Sequence, residues 1–214
     1  MNILCLNTAF NQTYVAVKSN NNLAQKTMDS SLKQSENVLG AVDQCLQDVG
    51  LNVSNLNVIS CVIGPGSFTG IRIGASLCKG FCIACEQIKK VQISSLDLLA
   101  YIYAKSASPK NDFFVALNGL SGNLFVCKYN QNAQPLQPAQ LMFGEEINQL
   151  NGTIVGLAEE QLDICNNYVS FNTSSLLEYT LQKINCNEYS HDFEPLYLRK
   201  SQAEAELEKK NGHC

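Results

Sequence analysis

Apolar and polar residues alternate along the first hundred positions in patterns typical of short strands followed by longer helices. NILCLN (2–7) predicts a buried strand, and TYVAVK (13–18) and LAQKTM (23–28), separated by an asparagine run, predict a hairpin. The continuous apolar run NVISCVI (57–63) predicts a further buried strand, and VQI (91–93) predicts a short one. Helical patterns fill the intervals, so the predicted order is β-β-β-α-β-α-β-α.

Three helices are predicted in this half of the chain. Helix one covers about 31–49, because Ser31 and Gln34 have the spacing of a capping box and Gly50 follows the last apolar position. Helix two begins after a glycine-rich turn and runs to about residue 86. Helix three is predicted from the segment SSLDLLAYIYA (94–104).

The polar segment SASPKND (106–112) marks the predicted boundary between an N-terminal domain, 1–105, and a smaller, degenerate C-terminal domain, 106–214. The second half starts as the first does, with two adjacent strands, but its later pattern is less regular. Its predicted elements are a hairpin, a strand and a helix: FFVALNG (113–119) with NLFVCKYN (123–130), TIVGL (153–157), and SSLLEYTLQKI (174–184). We therefore predict two related α/β lobes, the second reduced.

Composition narrows the class of protein. The chain has 214 residues, 45% of them hydrophobic and 16% charged, with a net charge of −4. This balance argues against a stand-alone binder of nucleic acid or of an anionic membrane. The start of the sequence lacks the features of a signal peptide, no apolar run approaches 18 residues, and most of the ten cysteines sit in apolar runs. These features favour a reduced, cytoplasmic protein.

The stretch VIGPGSFTGIRIG (62–74) joins a buried strand to a helix through closely spaced glycines. Free N–H groups at such a helix start suit an anion. The chain nevertheless lacks the lysine of a P-loop, and Thr69 stands where a dinucleotide fingerprint needs its third glycine. Phosphate contact and a purely structural turn both stay open. The candidate phosphate-loop residues are Gly64, Gly66, Ser67, Thr69, Gly70 and Arg72.

Helix two carries only a narrow polar stripe, formed by Arg72, Ser76, Lys79 and Glu86, which predicts burial on two sides. One side faces its own sheet. The other packs against helix one or, with helix one, forms an interface with a partner chain. The candidate interface residues are Leu32, Val38, Leu39, Val42, Leu46, Ile71, Ile73, Gly74, Leu77 and Phe81.

The sequence contains few groups of residues that could bind a metal or act in catalysis. Cys78, Cys82 and Cys85 have the C-x-x-x-C-x-x-C spacing of a radical-SAM cluster motif, but along a helix the outer two stand roughly 10 Å apart. Three core cysteines on one helix face is the preferred interpretation. Only two histidines, His191 and His213, are present. We therefore predict no metal site and no catalytic residues.

The glycine stretch GPGSFTGIRIGASLCKG (64–80) resembles the hallmark of the TsaB family, also called the YeaZ or glycoprotease-like family. The resemblance extends over nearly the whole chain, in ILCLNTAFNQTYVAV (3–17), SLKQSENVLGAVDQCL (31–46), ISSLDLLA (93–100) and EPLYLRKSQAEAELEKK (194–210). It implies an α/β, actin-like and sugar-kinase-like (ASKHA) fold of two related lobes.

The resemblance also implies a function. Proteins of this family act as non-catalytic subunits that bind and activate a TsaD-like transferase in threonylcarbamoylation of the tRNA adenosine beside the anticodon. The implied partners are the TsaD-like subunit, a TsaE-like ATPase, a second copy when the chain is alone, and tRNA only through the complex. No cofactor of its own is implied, and ATP or ADP at the partner interface stays open.

The sequence differs from the family pattern at three places, and each difference removes a charged or titratable side chain. Asn7-Thr8-Ala9 stands where Asp-Thr-Ser is usual, and Gln34 stands near the place of a common histidine. Asn118-Gly119-Leu120 replaces Asp-Ala-Arg and loses both charges. The departures favour a non-catalytic subunit. The alternative is an enzyme in its own right, an ATP-dependent transferase or kinase that uses the glycine loop.

Overall fold

A computed structural model describes residues 1–20, 22–29 and 34–198 of the chain. The N-terminal half builds one five-stranded mixed sheet with the order β3-β2-β1-β4-β5. Its strands are β1 (Ile3–Asn7), β2 (Gln12–Lys18), β3 (Leu23–Asp29), β4 (Val58–Gly64) and β5 (Lys89–Ser94). The hairpin predicted over 13–28 is confirmed as the antiparallel pair β2–β3.

The C-terminal half builds a second five-stranded sheet with the order β8-β7-β6-β9-β10. Its strands are β6 (Phe113–Asn118), β7 (Leu124–Tyr129), β8 (Gln140–Met142), β9 (Thr153–Leu157) and β10 (Asn167–Val169). The predicted hairpin is confirmed as the antiparallel pair β6–β7, and the predicted strand TIVGL is β9.

The second sheet repeats the topology of the first. In each, the first three strands form an antiparallel meander, and the first strand also pairs in parallel with the fourth, which pairs in parallel with the fifth. A shared strand order with the same directions is evidence of one supersecondary unit used twice. The prediction of two related lobes is therefore confirmed, and this duplicated unit matches the fold that the resemblance implies.

The described residues contain five α-helices: α1 (Gln34–Asp48), α2 (Phe68–Ala84), α3 (Ser95–Ala107), α4 (Gly144–Asn148) and α5 (Thr173–Asn185). The first half confirms the predicted β-β-β-α-β-α-β-α order. The second lobe is reduced, because α4 has five residues where α1 has fifteen, and residues 158–166 between β9 and β10 form no helix.

The predicted start of helix one lies outside the described residues, and helix two ends earlier than predicted. Ser31 and Leu32, and with them the predicted capping box, lie outside the described residues, and α1 is described from Gln34. Helix α2 ends at Ala84, before the predicted 86, because Cys85 adopts φ −138° and ψ 82°, away from helical values. No helix in the described part of the chain is long and apolar enough to cross a membrane.

The two sheets share a central layer of helices. Alternate residues of β1 face opposite ways: Leu4 and Leu6 pack in a core under α1 and α2, whereas Ile3 and Cys5 pack in a core with α3 and α5. That second core continues into the second sheet through residues such as Phe113. The chain crosses between sheets within 108–112, but the two lobes are joined by one continuous apolar core.

The described residues after α5 return to the first lobe. We call residues 190–198 the C-terminal strap. It starts beside β5, where Ser190 N–H donates to Lys90 O (2.8 Å), and reaches the end of β4, where Leu196 N–H donates to Ile63 O (2.8 Å). Between these points the Phe193 ring is fully buried in the core under α1 and α2. The strap therefore covers the β5 edge of the first sheet.

A buried polar cluster joins α5 of the second half to the first sheet. Thr180 on α5 donates its hydroxyl to Leu176 O (2.8 Å) and lies 2.7 Å from Ser60 Oγ on β4. The Cys5 thiol on β1 donates to the same hydroxyl oxygen (3.5 Å). One donor and two acceptor positions are the full capacity of a hydroxyl, so Thr180 is satisfied without water.

Replacing Thr180 by valine keeps the shape of the side chain but removes the acceptor for Ser60 and Cys5. Because both groups are fully buried, we expect the free energy of unfolding to fall by about 1–3 kcal/mol, measured by urea denaturation. In the Ser60→Ala background the same replacement should cost clearly less. An equal loss of unfolding free energy in the two backgrounds would contradict an interaction between Thr180 and Ser60.

Candidate glycine-loop and docking site

The turn between β1 and β2 rests directly on the first turn of α2. Ser67 caps α2 by accepting a hydrogen bond from Gly70 N–H at its hydroxyl (3.2 Å). Ser67 N–H donates to Ala9 O (2.8 Å), and the Thr8 hydroxyl donates to Gly70 O (2.6 Å). The start of α2 is therefore tied to backbone of its own chain.

This contact explains why three positions of the segment are glycine. A Cβ on Gly66 would lie 2.4 Å from Ala9 O, one on Gly70 would lie 1.9 Å from Thr8 O, and one on Gly74 would lie 2.3 Å from Thr8 Oγ1. No side chain fits at such distances. This close packing explains why the loop would need glycines as a structural turn, while phosphate contact at the loop stays a prediction.

The other side of the loop meets the C-terminal strap. Gly64 has φ +107°, and a Cβ there would lie 2.7 Å from Ile71 Cδ1 and 3.1 Å from Leu196 O. Arg72, a candidate phosphate ligand, donates from Nε to the Tyr197 hydroxyl (2.9 Å), and its guanidinium lies 3.9 Å from the centre of the Phe68 ring. The Arg72 side chain therefore has partners within the chain.

The two departures at the strand ends occupy equivalent places in the two lobes. Asn7 ends β1 and Asn118 ends β6, the first strand of each repeat. Each amide oxygen accepts a hydrogen bond from the N–H two residues on, that of Ala9 or of Leu120, both at 2.8 Å. These Asx turns shape both loops without a carboxylate.

Aromatic rings fill the junction between the lobes next to these turns. Phe171, which precedes α5, makes edge contacts with Phe10 (5.2 Å between ring centres) and Tyr14 (4.4 Å), and all three rings are buried. Burial, with a smaller effect of Glu159, raises the pKa of Tyr14. The described side chains therefore close this junction.

The carboxylate of Glu160 lies in the second lobe close to the junction. Glu160 follows β9 and accepts a hydrogen bond from Asn118 N–H (2.7 Å). Burial raises the pKa of Glu160, while that hydrogen bond opposes the rise. Its position after the fourth strand of the second repeat corresponds to that of the glycine loop in the first.

The structure corrects part of the predicted interface. Val38, Val42, Leu46 and Ile71 are at most 2% exposed, because their side chains pack into the cores on the two faces of the first sheet. Gly74 is also buried, against Thr8. These five positions are not on the surface of the chain, and Leu32 lies outside the described residues.

The remaining interface candidates lie at or near the surface. Leu39 on α1 is 51% exposed, and Ile73, Leu77 and Phe81 on α2 are half-buried. The sequence analysis missed Ile83, which is 79% exposed. Helical spacing could have found it, because it stands seven residues after Ser76 of the polar stripe and so lies on the same face.

Together these residues form an uncharged face. We call the following residues the outward stripe of α2: Thr69, Ile73, Ser76, Leu77, Gly80, Ile83 and Ala84, all exposed or half-buried. Apolar side chains and small residues alternate along it. A surface helix normally presents charged residues at such positions, so the stripe has the character of a docking face.

The cysteines of α2 belong to the fold. Cys78 and Cys82 are buried in the core under α1 and α2, and Cys85 is half-buried where the helix ends. Contact with Cys61 and burial raise the pKa of the Cys78 thiol, which makes it a poor nucleophile. Among the residues the structure describes, no three His, Cys, Asp or Glu side chains gather as metal ligands.

A surface cavity of about 580 Å³ lies away from these features. It opens on the second lobe, at the edge where β6 starts and β7 ends, and is lined by Lys110, Asn111, Asp112, Phe114, Lys128, Gln131, Gln149 and Asn151.

The duplicated sheets and the packed glycine loop define a two-lobed α/β protein. The family profile described as "TsaD: tRNA N6-adenosine threonylcarbamoyltransferase" matches residues 28–171. The chain is 25% identical over 130 residues to the tRNA threonylcarbamoyladenosine biosynthesis protein TsaB of Buchnera aphidicola (strain APS), covering 61% of this chain and 58% of that protein.

It is 23% identical over 133 residues to the TsaB protein of Escherichia coli K12, covering 62% of this chain and 56% of that protein. The matches span less than two thirds of the length of these relatives. The structure of YeaZ from Pseudomonas aeruginosa has the same fold, with a TM-score of 0.74 at 17% identity over 92% of this chain and 99% of that chain. The chain belongs to the TsaD family, and its relatives support the TsaB (YeaZ) type within it.

The close packing of the β1–β2 turn against α2 can be tested by replacing two glycines of that helix. Gly70→Ala would place a Cβ 1.9 Å from Thr8 O, so we expect a loss of about 3 kcal/mol or more in the free energy of unfolding. At Gly80 nothing lies within 4 Å, and Gly80→Ala should stabilise the chain by about 0.5–1 kcal/mol. Urea denaturation of both variants checks this; similar values for the two would contradict the close packing.

Proposed function

We propose that this chain is a non-catalytic subunit in tRNA threonylcarbamoyladenosine biosynthesis. It binds a TsaD-like transferase through the outward stripe of α2 together with Leu39 of α1, and it holds that subunit in its active form. A TsaE-like ATPase and tRNA join through the complex. The observation that carries the proposal is the uncharged stripe, in which Ile83, near the end of α2, is 79% exposed.

The chemistry of the stripe suits a protein partner. Removing exposed apolar side chains from water is favourable and lowers the free energy by about 25 cal/mol per Å² of buried surface. Small residues such as Gly80 and Ala84 let a second helix approach closely. The names of the relatives supply the pathway, and the family contains both TsaB and the transferase, so a partner with a related fold is proposed.

Three features support the lack of a catalytic role. The glycine loop is packed against Ala9 on one side and Leu196 on the other. Asn7 and Asn118 provide amides where the family pattern has carboxylates, which would be needed to organise a metal–phosphate. The junction between the lobes is filled by Phe171 and its aromatic neighbours. The alternative, an ATP-dependent enzyme, would require these contacts to open, and ATP hydrolysis by the isolated chain is part of the test below.

The proposal is tested with the full chain and the TsaD-like protein of the same organism. Size-exclusion chromatography with light scattering should show a homodimer of the chain alone and a heterodimer after mixing. Ile83→Glu places a charge on the stripe at an exposed position, so the fold should be kept. We expect at least about a hundredfold weaker binding, because the charge would have to be desolvated in the interface.

The matched control is Leu136→Glu, in the connection between β7 and β8 on the second lobe. Leu136 is 50% exposed, so the substitution adds the same charge at an exposed apolar position away from α2. It should leave binding within about threefold of wild type. Equal binding by both variants would exclude the stripe as the docking face. ATP hydrolysis by the isolated chain would instead favour the enzyme.

A further inference from the structure

Helix α2 contains two charged residues, Arg72 and Lys79, and both border the outward stripe. Lys79 precedes Ile83 by four residues and Arg72 precedes Ser76 by four, so each cation is a surface neighbour of a stripe residue. A free lysine or arginine at these places would enter, or lie beside, any interface formed by the stripe. The cost of desolvating it would weaken that interface.

The C-terminal strap holds both cations at the side of the helix. Asp192 forms an ion pair with Lys79, with Nζ and Oδ2 2.8 Å apart, and Lys79 lowers the pKa of this carboxyl. Tyr197 accepts a hydrogen bond from Arg72, and its ring packs on Phe68 with 4.8 Å between ring centres. Two contacts thus pull two cations in the same direction, toward the strap.

The strap is itself fixed to the first lobe, which makes these contacts more than a pair of mobile surface side chains. The Gln92 side chain on β5 donates to Asp192 O and accepts from Glu194 N–H (3.4 Å), so its amide pairs with the backbone on both sides of residue 193. Between them the Phe193 ring is fully buried. Asp192 therefore reaches Lys79 from a rigid position.

We propose that the C-terminal strap is a positioning element of the docking face: Asp192 and Tyr197 hold Lys79 and Arg72 off the outward stripe and keep it free of charge for the partner. The inference rests on the proposed function, since it assigns a role to the border of the same surface. The partner recognised is correspondingly an uncharged, apolar helix face of the transferase subunit.

A charge swap tests this. In Asp192→Lys two cations repel each other and Lys79 is released toward Ile83, so the affinity for the TsaD-like subunit should fall at least about tenfold. Adding Lys79→Asp restores an ion pair of reversed sign and should recover binding to within about threefold. Thermal unfolding of each variant is followed in parallel, and because an ion pair this exposed contributes little to stability, the melting temperature should hardly change.

The second lobe offers a matched control. Lys128 and Asp112 form an ion pair of comparable exposure, with Nζ and Oδ2 3.3 Å apart. Asp112→Lys and its swap with Lys128→Asp should leave binding unchanged. If Asp192→Lys were to lower the melting temperature, the isosteric Asp192→Asn provides the same comparison without like-charge repulsion.

The outcomes separate this inference from the proposed function. Wild-type binding by Asp192→Lys or, where that variant is destabilised, by Asp192→Asn, together with loss of binding in Ile83→Glu, would overturn the role of the strap and leave the docking face standing. Wild-type binding by Ile83→Glu as well would overturn the docking face itself. Loss in Asp192→Lys without recovery in the swap would show that position 192 acts through something other than its pairing with Lys79, which also overturns the inference.

Discussion

The close approach between the β1–β2 turn and the start of α2 is the contact on which the rest of the site depends. Thr8 and Ala9 bring backbone oxygens to distances that leave no room for a Cβ at Gly66 or Gly70. Because protein interiors are close-packed, such a contact sets the position of the whole helix and not only of its first turn. The direction of α2 decides in turn which residues face the sheet and which face outward.

The same contact gives the glycine loop a structural role. The N-terminus of a helix attracts oxygen atoms whether they belong to a phosphate or to a neighbouring carbonyl. Here Ala9 O and the Ser67 hydroxyl accept hydrogen bonds from N–H groups of this segment. The amide oxygens of Asn7 and Asn118 accept further hydrogen bonds in the turns after β1 and β6. The equivalent loops of the two lobes are therefore held by local hydrogen bonds.

The duplication also accounts for the asymmetry between the lobes. Both sheets have the same strand order, but within the described residues the outer face of the second is covered by the short α4 and by turns over 158–166. The first lobe keeps full-length α1 and α2 and adds the C-terminal strap, which is held by Phe193 and Gln92. The proposed contacts with a partner therefore concentrate on one lobe, while the other stabilises it through the shared core.

Local pattern in the sequence determined the elements and their order. Alternation and continuous apolar runs predicted the β2–β3 and β6–β7 hairpins, and the similar starts of the two halves predicted the repeat, because backbone periodicity is a property of neighbouring residues. The glycine loop and the weak charge of helix two were also visible. Pattern cannot separate the two apolar sides of α1 and α2, and it therefore predicts Val38 and Val42 in the interface although both are buried in the core.

Only the tertiary structure decided what each apolar residue touches. It showed that Thr8 and Ala9, sixty residues before α2, occupy the space beside the glycines, and that Phe193 and Asp192 return to the first lobe from the far end of the described chain. Such contacts join segments that have no common periodicity. They depend on the path of the chain in space, and the pattern of any single segment carries no record of that path.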